Sequence, residues 1–505
     1  MARTPTVRRV AAGGSARSAR DPVRARPDRD GRGRFSRGSA DAEEEADMQA
    51  SMTRWAKRLA TAAAGAAIAL AQPVAAQSIL RDAETEQLLA DMTRPIIIAS
   101  GLSPANVRVV VINDPSINAF VAGGQIVYIH SGLIDAADTA NEVQGVVAHE
   151  VGHIVGGHVP LQDQGYKGAM GISILSLVLG VAAIAAGGAE AGAGILAAGQ
   201  RAALGSLLAF TRTQEASADA AGARFLNSAG VSGRGMLSFF KKLQNQEYRY
   251  GVDHSEGSFD YTHPLSSERI ASLTHDLVDS PTWNAKPDQP IEDRFKRVQA
   301  KLRGYVNDPK ATLVKYPASD QSIPAHYARA YAYHLSGYPD QAASEAAALV
   351  KAAPHDPYFL ELEGQILLES GKPVAALAPL REATEGSRNQ PLIATTFGHA
   401  LLATDDPAHL PEAEKVLRTA VARDDDNPFA WVQLGTVYER KGDEPRTALA
   451  TAERANLTGD TRTALISSRA ALAGLPQGSA DWIRAQDIMM VSQTAMDGQK
   501  GKRRK

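Results

Sequence analysis

Two histidines four residues apart, with a glutamate directly after the first, are the residues of this sequence best suited to catalysis. They form the stretch His149-Glu150-Val151-Gly152-His153. On a helix, residues four apart lie on one face, so both imidazoles can bind the same metal ion. Glu150 would then lie beside the metal, where a carboxylate can take a proton from a zinc-bound water. The spacing therefore predicts a zinc peptidase centre. Because the pattern is short, the rest of the sequence must provide further evidence for it.

A catalytic zinc ion usually has three protein ligands, so a third must come from elsewhere in the chain. His158 is one residue too early to be a further ligand on the same helix, and we interpret it as a surface residue or one that contacts a ligand from behind. The better candidate is Glu215. Asp219 follows it after one helical turn and is well placed to accept the other N–H of a metal-bound imidazole.

The chain of 505 residues is long enough for two or three domains, and its 44% hydrophobic content is sufficient for real cores. Its formal net charge of -2 creates no general field that would attract nucleic acid, so we expect no nucleic-acid partner. The absence of cysteine excludes disulfides, thiolate zinc sites and a lipid-modified N-terminal cysteine. Histidines and carboxylates must therefore hold any metal, and they suit one catalytic Zn²⁺ per chain.

The N-terminus consists of two segments in series. Residues 1–51 are rich in Arg, Gly, Ser and acidic residues and should be disordered, unless the start codon is assigned too early. Residues 52–76 have a basic start, the apolar run Leu59 to Leu70 and the small residues Val74-Ala75-Ala76, which together predict a secretory signal peptide. An uncleaved membrane anchor is the alternative, although the apolar run is short for a span. The mature chain would begin near Gln77.

Three elements are predicted ahead of the histidine motif. Apolar spacing predicts a first helix over 78–100, and a β-branched run predicts a strand at 107–112. Residues 120–124 then lead into a second strand at 125–129. A small sheet should therefore precede the motif.

The motif itself is expected on a helix. Thr139 and Glu142 have capping-box spacing, and apolar residues then recur at helical intervals as far as Val155. Pro160 is a natural stop for this helix. These elements predict an α+β zinc metalloprotease domain over 77–275, mostly helical with a small sheet.

A long apolar insert separates the two parts of the candidate site. Residues 168–189, twenty-two in all, carry no charge, and the apolar bias continues to about residue 210. This is enough to span a bilayer, but a single crossing would place Glu215 on the opposite side from the histidines. For this hairpin insert, 168–210, an even number of crossings, a hairpin dipping into one leaflet and a buried helix pair all stay open.

The C-terminal half has a different organisation. Beyond an expected linker at 276–323, glycines recur 34 residues apart, at Gly337 and Gly371 and at Gly364 and Gly398. This period is typical of tetratricopeptide repeats and predicts an all-α solenoid over 324–475, with a concave surface for partners. A C-terminal helix and a basic tail should occupy 476–505.

Several motifs, taken in order, resemble one known family. They are the His149 to His153 motif, Glu215 with Ala218-Asp219, the upstream Asn118-Ala119-Phe120 with Gly123-Gly124, and the downstream Thr262-His263-Pro264-Leu265. Together they resemble the zinc metalloproteases that include the CAAX prenyl proteases and the HtpX membrane proteases. With the signal peptide and the repeats, the resemblance narrows to BepA-like periplasmic proteases and covers nearly the whole chain from Met52.

The resemblance implies a periplasmic zinc metalloendopeptidase that hydrolyses misfolded or stalled outer-membrane proteins. It implies that the repeats dock on the outer-membrane β-barrel assembly machinery or on its substrates. It also implies that His263 can occupy the open position of the metal and hold the enzyme latent. Without the family, His263 would be read as a structural histidine before a turn-forming proline. Membrane contact through 168–210 would make the protein peripheral to a membrane.

We hypothesise that His149, His153 and Glu215 hold Zn²⁺, which lowers the pKa of its water toward about 7. Glu150 then accepts the water proton and passes it to the leaving amine.

The substrate is expected as an added strand along 125–129, with Asn118 at the edge of the cleft. His263, or Tyr261 beside it, is a candidate to stabilise the oxyanion when it does not bind zinc. The alternative function is a non-proteolytic chaperone or scaffold for outer-membrane β-barrel assembly, in which the repeats bind precursors and the zinc site is silent.

Overall fold

The computed structural model describes residues 79–185, 189–250, 263 and 265–503. The predicted disordered segment 1–51, the predicted signal peptide 52–76 and Tyr261 lie outside these residues, so the predictions about them stay predictions. All described residues belong to one compact unit that extends over 76–505.

A four-stranded sheet stands at the start of the described chain, in the order β1-β2-β4-β3. The strands are β1 (Ile79–Leu80), β2 (Arg108–Ile112), β3 (Ala119–Ala122) and β4 (Ile126–His130). β2 and β4 are parallel, whereas β1 and β3 pair antiparallel with β2 and β4. Val127 and Ile129 are fully buried because alternate residues of a strand face the same core.

The position of β4 corrects the predicted substrate strand. All five residues of β4 pair with β2, and Ile126 to Ile129 also pair with β3. Both edges of the segment 125–129 are therefore used, and no substrate strand can be added along it. Within the described chain, the free edge on this side of the sheet belongs to β3.

The first helix also starts later than predicted. Ile79 and Leu80 were expected in the helix over 78–100, but they pair with β2. The helix α1 (Ala83–Ala99) begins after Asp82, whose carboxylate accepts the N–H of Thr85 at 2.8 Å. An N-cap of this kind satisfies one of the N–H groups that have no partner within the helix, which fixes the helix start.

Among the described residues up to 278, six further helices belong to the domain around the histidine motif. They are α2 (Ser131–Ala136), α3 (Ala140–Val155), α4 (His158–Ala185), α5 (Ala189–Ser228), α6 (Arg234–Tyr250) and α7 (Ser267–Val278). α3 carries the motif, as predicted, and the Thr139 hydroxyl caps it by accepting the N–H of Glu142 at 3.3 Å. α3 contacts α1, α5, α6 and β3, so it is the central helix of the domain.

Residues 276–323 are not the linker that the sequence suggested. They contain α8 (Gln289–Val306) and α9 (Pro309–Lys315). Phe295 and Val298 of α8 are buried in the same hydrophobic core as α3. The Gln299 amide also donates to the carbonyl oxygens of Ile134 and Ala137, at 2.8 and 2.7 Å.

From residue 323 onward, the described chain consists of paired helices. They are α10 (Ile323–Leu335), α11 (Pro339–Ala352), α12 (Pro357–Glu369), α13 (Pro373–Gly386), α14 (Pro391–Ala403), α15 (Leu410–Arg423), α16 (Pro428–Arg440), α17 (Glu444–Leu457), α18 (Thr461–Gly474) and α19 (Ala480–Arg503). Each helix packs mainly against its neighbours in sequence, as a repeat solenoid requires. The predicted C-terminal helix, α19, packs against α18 and extends this stack.

The 34-residue period has a steric cause. A Cβ atom built on Gly364 would lie 2.4 Å from the Leu380 side chain, and one on Gly398 would lie 2.5 Å from Leu417. Only glycine allows the two helices of each pair to approach so closely at this place. The repeat pattern in the sequence is thus a pattern of helix–helix contacts.

Buried charges join the repeats to the start of the domain. The Lys301 ammonium lies 2.5 Å from the Asp82 carboxylate, and the Tyr327 hydroxyl donates to Glu84 at 2.6 Å. Lys301, Tyr327 and Glu84 are each at most 4% exposed. Buried charges that are paired in this way hold α1, α8 and α10 in one arrangement, since separating them would leave a charge buried and unpaired.

Candidate metal centre

Four side chains from three parts of the chain converge on one buried point. His149 and His153 come from α3, Glu215 from α5, and His263 from the segment before α7. One potential ligand atom from each residue lies within 4.8 Å of the other three. None of the four residues is more than 8% exposed. The structure thus brings together the predicted ligands and also the histidine to which the sequence could not assign one role.

The separations of these atoms suit a tetrahedral ion. His149 Nε2 lies 3.1 Å from His153 Nε2 and 3.4 Å from Glu215 Oε2. His263 Nδ1 lies 3.1 Å from both Glu215 oxygens and 3.4 Å from His149 Nε2. Ligands on a tetrahedral zinc ion, at bond lengths of ~2.0–2.1 Å, lie about 3.3 Å apart. The donor set, three imidazoles and a carboxylate, therefore fits Zn²⁺ in both chemistry and spacing.

A close approach between α3 and α5 places Glu215 beside the histidines. A Cβ atom on Gly152 would lie 2.7 Å from the carbonyl oxygen of Ala218 and 2.9 Å from its Cα. Glycine at this position lets the two backbones touch, which explains why the motif has glycine before its second histidine. Because Glu215 lies almost one turn before Ala218, the same contact sets its distance from the imidazoles.

Asp219 lies behind His149, as predicted. Its Oδ1 is 2.9 Å from His149 Nδ1, so the carboxylate can accept the N–H that remains when Nε2 faces a metal. Arg269 in turn holds Asp219 with two hydrogen bonds, from Nε and Nη2 at 2.7 and 2.8 Å. Its Nη1 also lies 3.0 Å from Glu215 Oε2. One buried guanidinium therefore orients both carboxylates of the site.

Arg269 was missed in the sequence. One signal could have identified it: Arg269 lies four residues before the buried Leu273 on α7, so both face the core. An arginine on the apolar face of a helix usually needs a buried acidic partner.

His158 is buried and contacts the other side of His153. The Nδ1 atoms of the two rings are 2.9 Å apart, and His158 is 7% exposed. The prediction for His158 assumed that the helix continues to this residue, but α3 ends at Val155 and Gly157 turns the chain with a φ of 63°. His158 is therefore not a surface residue. It contacts His153 from behind, which was the other predicted interpretation.

Glu150 is fully buried next to His263. Its Oε1 lies 3.6 Å from His263 Nε2. Within the described chain, neither oxygen of Glu150 has a hydrogen-bond partner. Burial raises the pKa of its carboxyl, and the nearby Glu215 adds to this effect against the positive influence of His263 and His149. A carboxylate in this environment takes up a proton more readily than an exposed one.

The electrostatics of the cluster favour a cation at its centre. Burial opposes charging of His149, but Asp219 and Glu215 outweigh it and raise its pKa to about 10. In contrast, burial and the neighbouring His149 and His263 hold the pKa of His153 well below its usual value. The carboxylates thus favour a positive charge at the centre. Two positively charged imidazoles there would repel each other.

Asn118, the predicted substrate contact, lies immediately before β3 and is 1% exposed. Its backbone carbonyl accepts the N–H of His130 at 2.9 Å. The side chain is therefore part of the packed interior in this structure, and its contact with a substrate stays a prediction.

Comparison with known proteins gives one family for this domain. Residues 82–277 match Peptidase family M48. A beta-barrel assembly-enhancing protease of Yersinia pestis is 24% identical over 389 residues, which cover 73% of this chain and 76% of the relative. The protein of the same name in Escherichia coli K12 is 27% identical over 378 residues, 71% of this chain and 73% of the relative.

A third relative matches a shorter part of the chain at higher identity. Metalloprotease LoiP of Escherichia coli K12 is 34% identical over 173 residues, which are 34% of this chain and 62% of that protein. Among solved structures, the tetratricopeptide-repeat protein YrrB covers 35% of this chain at 19% identity with a TM-score of 0.29. This score is too low to support the assignment of the repeats. That assignment depends on the observed helix pairs.

Proposed function

Because residues 82–277 form a Peptidase family M48 domain, we propose that this protein is a periplasmic zinc metalloendopeptidase that cleaves misfolded or stalled outer-membrane proteins. The observation that carries the peptidase assignment is the buried cluster of four donor atoms with Glu150 at its side. The family supports metal-dependent hydrolysis, and the cluster supports zinc as the metal.

In this proposal, His149, His153 and Glu215 hold one Zn²⁺, while Asp219 and Arg269 keep the ligands oriented. Zinc supplies a Lewis acid that polarises the scissile carbonyl and makes water acidic enough to attack at neutral pH. The 2.9 Å contact between Asp219 and His149 Nδ1 directs Nε2 into the cluster.

Glu150 is the general base. It accepts the proton of the attacking water and then donates it to the nitrogen of the leaving amine. Two observations support this role: Glu150 is buried, and its oxygens have no hydrogen-bond partner among the described residues. A carboxylate in this state is free to bind a proton from water. Its pKa, raised by burial, brings the carboxyl closer to the working pH.

His263 holds the resting site closed in this proposal. Its Nδ1 lies within 3.4 Å of His149 Nε2 and Glu215, where a fourth ligand would be, and its Nε2 faces Glu150. A substrate carbonyl and a water need the same space, so His263 must move away before cleavage. After this movement, its imidazole is a candidate to stabilise the oxyanion.

The substrate binds as an added strand along the outer edge of β3 rather than along β4. β3 contacts α3, the helix that carries Glu150, so a strand at this edge would pass close to the catalytic residues. Backbone hydrogen bonds at such an edge accept many sequences, which suits an enzyme that removes misfolded proteins.

The targets are proposed from the relatives and from the repeats. The two longer relatives are named as beta-barrel assembly-enhancing proteases, and they share more than 70% of the length of this chain. Repeats of paired helices usually bind other proteins on a concave surface. We therefore expect the repeats to dock on the assembly machinery of outer-membrane β-barrels or on its substrates. The predicted signal peptide supports a periplasmic location.

Replacement of Glu150 by Gln tests this proposal, because glutamine has the same size but cannot accept the proton. In the chain from Gln77, we expect one zinc ion per chain to remain and cleavage of an unfolded outer-membrane β-barrel protein to fall about 100- to 10,000-fold. Glu268→Gln, an exposed substitution on α7, is the matched control and should cleave normally. Cleavage by Glu150→Gln at the wild-type rate would refute the mechanism.

A non-proteolytic role also has one observation in its favour. Because His263 fills the place where substrate must enter, the resting protein is arranged to bind through its repeats without cutting. The Glu150→Gln variant separates the two roles. If it still prevents aggregation of the unfolded β-barrel as well as the wild type does, the repeats act as a chaperone independently of proteolysis.

A further inference from the structure

The two helices that connect the metal ligands leave a large apolar surface uncovered. We use the name apolar hairpin for residues 167–183 of α4 and 190–210 of α5. Seven large apolar side chains of α4 are each 51–60% exposed, namely Met170, Ile174, Leu175, Leu177, Val178, Leu179 and Val181. On α5, Leu204 and Leu208 are exposed as well. Monomeric soluble proteins rarely expose so many contiguous apolar side chains.

The exposed side chains of α4 surround most of the helix. At about 100° per residue, the seven positions cover an arc of about 200°. The remaining side of α4 packs on α5 through small residues, and a Cβ atom on Gly199 would lie 1.9 Å from the Ser176 side chain. Small residues inside a helix pair and large apolar residues outside are the arrangement of helices surrounded by lipid.

The apolar hairpin carries few charges, and none lies on the α4 arm after Lys167. Within 164–214, Lys167, Arg201 and Arg212 are the basic residues and Glu190 is the sole acidic one. Lys167 is exposed at the base of the α4 arm, and Arg201 is exposed on the α5 arm, 12 residues after the start of that helix, where anionic headgroups would meet it. Glu190 lies at the tip.

We propose that the apolar hairpin inserts into the lipid bilayer from one side. The helix over 190–228 is long and apolar enough to cross a membrane, and 11% of its most apolar window is buried, but the same helix carries Glu215 of the metal centre. The part of this helix that bears Glu215 therefore stays outside the bilayer, and only the residues ahead of it can insert. Residues 189–200 of α5, which precede Arg201, measure about 18 Å, close to half of the ~30 Å hydrocarbon core, so the hairpin reaches into one leaflet.

Insertion would place the metal centre near the membrane surface. Lys167 is nine residues from His158, and Arg201 is 14 residues from Glu215, which correspond to about 14 and 21 Å of helix. The inserted arms are thus continuous with the two helices that bear the ligands. The inference goes beyond the proposed peptidase activity and does not depend on it.

Lipid explains the surface better than a protein partner does. A partner helix or a second copy of this chain would cover one face of α4, whereas the exposed arc exceeds half of its circumference. A bilayer surrounds an inserted helix on every side that its neighbour leaves free. The exposed basic residues Lys167 and Arg201 also match an anionic membrane surface.

Vesicle flotation of the chain from Gln77, which lies within the compact unit 76–505, tests the proposal. We expect the protein to float with phosphatidylcholine vesicles that contain phosphatidylglycerol. Val178→Asp should bind on the order of 100-fold more weakly, because a charge in the hydrocarbon region is costly. Val314→Asp, at the 82% exposed Val314 of α9, is the matched control and should float like the wild type. Zinc content and circular dichroism should be unchanged in both variants.

Two further variants identify lipid as the partner. Glu190→Gln should strengthen vesicle binding, since it removes the charge that enters the bilayer. Because the chain contains no cysteine, Leu177→Cys can carry a single environment-sensitive fluorophore. Its emission should increase with vesicles and be quenched by lipids labelled in their acyl chains, whereas the same label at Val314→Cys should not respond.

The proposal is overturned if the wild type does not float, or if Val178→Asp floats equally well. It is also overturned if the wild type forms a dimer that Val178→Asp abolishes while neither protein binds vesicles, because a second copy would then cover the hairpin. Quenching at Leu177→Cys together with flotation that Val178→Asp abolishes supports insertion.

Discussion

Replacing Gly152 with Ala should separate the two halves of the metal site. A Cβ atom there would lie 2.7 Å from the carbonyl oxygen of Ala218, and an ordinary contact begins at 3.4 Å, so α3 and α5 must move apart by about 0.7 Å. Glu215 moves with α5. Its distances from the two histidines, now 3.4 and 3.5 Å, would then exceed the spacing of a tetrahedral zinc site.

The magnitude follows from two opposing terms. Overpacking of a tight contact costs about 1–3 kcal/mol, and replacing glycine by alanine within a helix returns up to about 1 kcal/mol. The metal-free protein should therefore lose about 0–3 kcal/mol of unfolding free energy. Zinc affinity should fall about 10- to 100-fold, the effect typical of disturbed ligand orientation.

The measurement is competition for zinc with a chromophoric chelator, together with thermal unfolding with and without zinc. Gly205→Ala is the matched control, because it lies in α5 with no atom within 4 Å of the added Cβ. It should bind zinc normally and unfold at the same or a slightly higher temperature. If Gly152→Ala binds zinc as tightly as the wild type, backbone contact between α3 and α5 does not set the ligand geometry.

Three further predictions follow from the structure. His263→Ala should raise proteolysis several-fold, because the place it occupies becomes open to substrate; a fall in the rate, measured on the same unfolded β-barrel, would instead make His263 a catalytic group. His158→Ala should weaken zinc binding about 10- to 100-fold, because His153 loses the partner of its Nδ1, and unchanged affinity in the chelator assay would exclude that role. Glu361→Gln should stabilise the protein at pH 8 but not at pH 4. Burial raises the pKa of Glu361 from 4.5 to about 8, so the folded chain holds a proton that the unfolded chain loses across this range, and stability falls as pH rises. Thermal unfolding of both proteins at the two pH values measures the difference, and equal shifts at both would contradict it.

Local patterns in the sequence were sufficient for helix α3 and for the repeats. The cap at Thr139 and the apolar spacing after it predicted helix α3, and the structure confirms both. The 34-residue glycine period predicted the stacked helix pairs, since Gly364 and Gly398 each permit one close helix contact. These features depend on residues within one or two helical turns, or on a unit that repeats, so they are readable without the fold.

Contacts between distant segments were not readable in this way. The sequence placed substrate along 125–129, and only the strand order revealed that β4 is internal and β3 has the free edge. It treated 276–323 as a linker, whereas α8 enters the core through Phe295 and Val298. Strand order and helix docking depend on which apolar faces pack together in three dimensions. A single sequence does not show directly which faces do so.

The sequence by itself determined which residues could do the chemistry, namely two histidines, a base and a distant glutamate at suitable spacing. The tertiary structure decided how they are held. It placed Arg269 across Asp219 and Glu215, brought His158 behind His153, and set His263 among the proposed zinc ligands. Each of these contacts joins segments through a buried, low-dielectric interior, where unpaired polar groups are costly and partners must be found by packing.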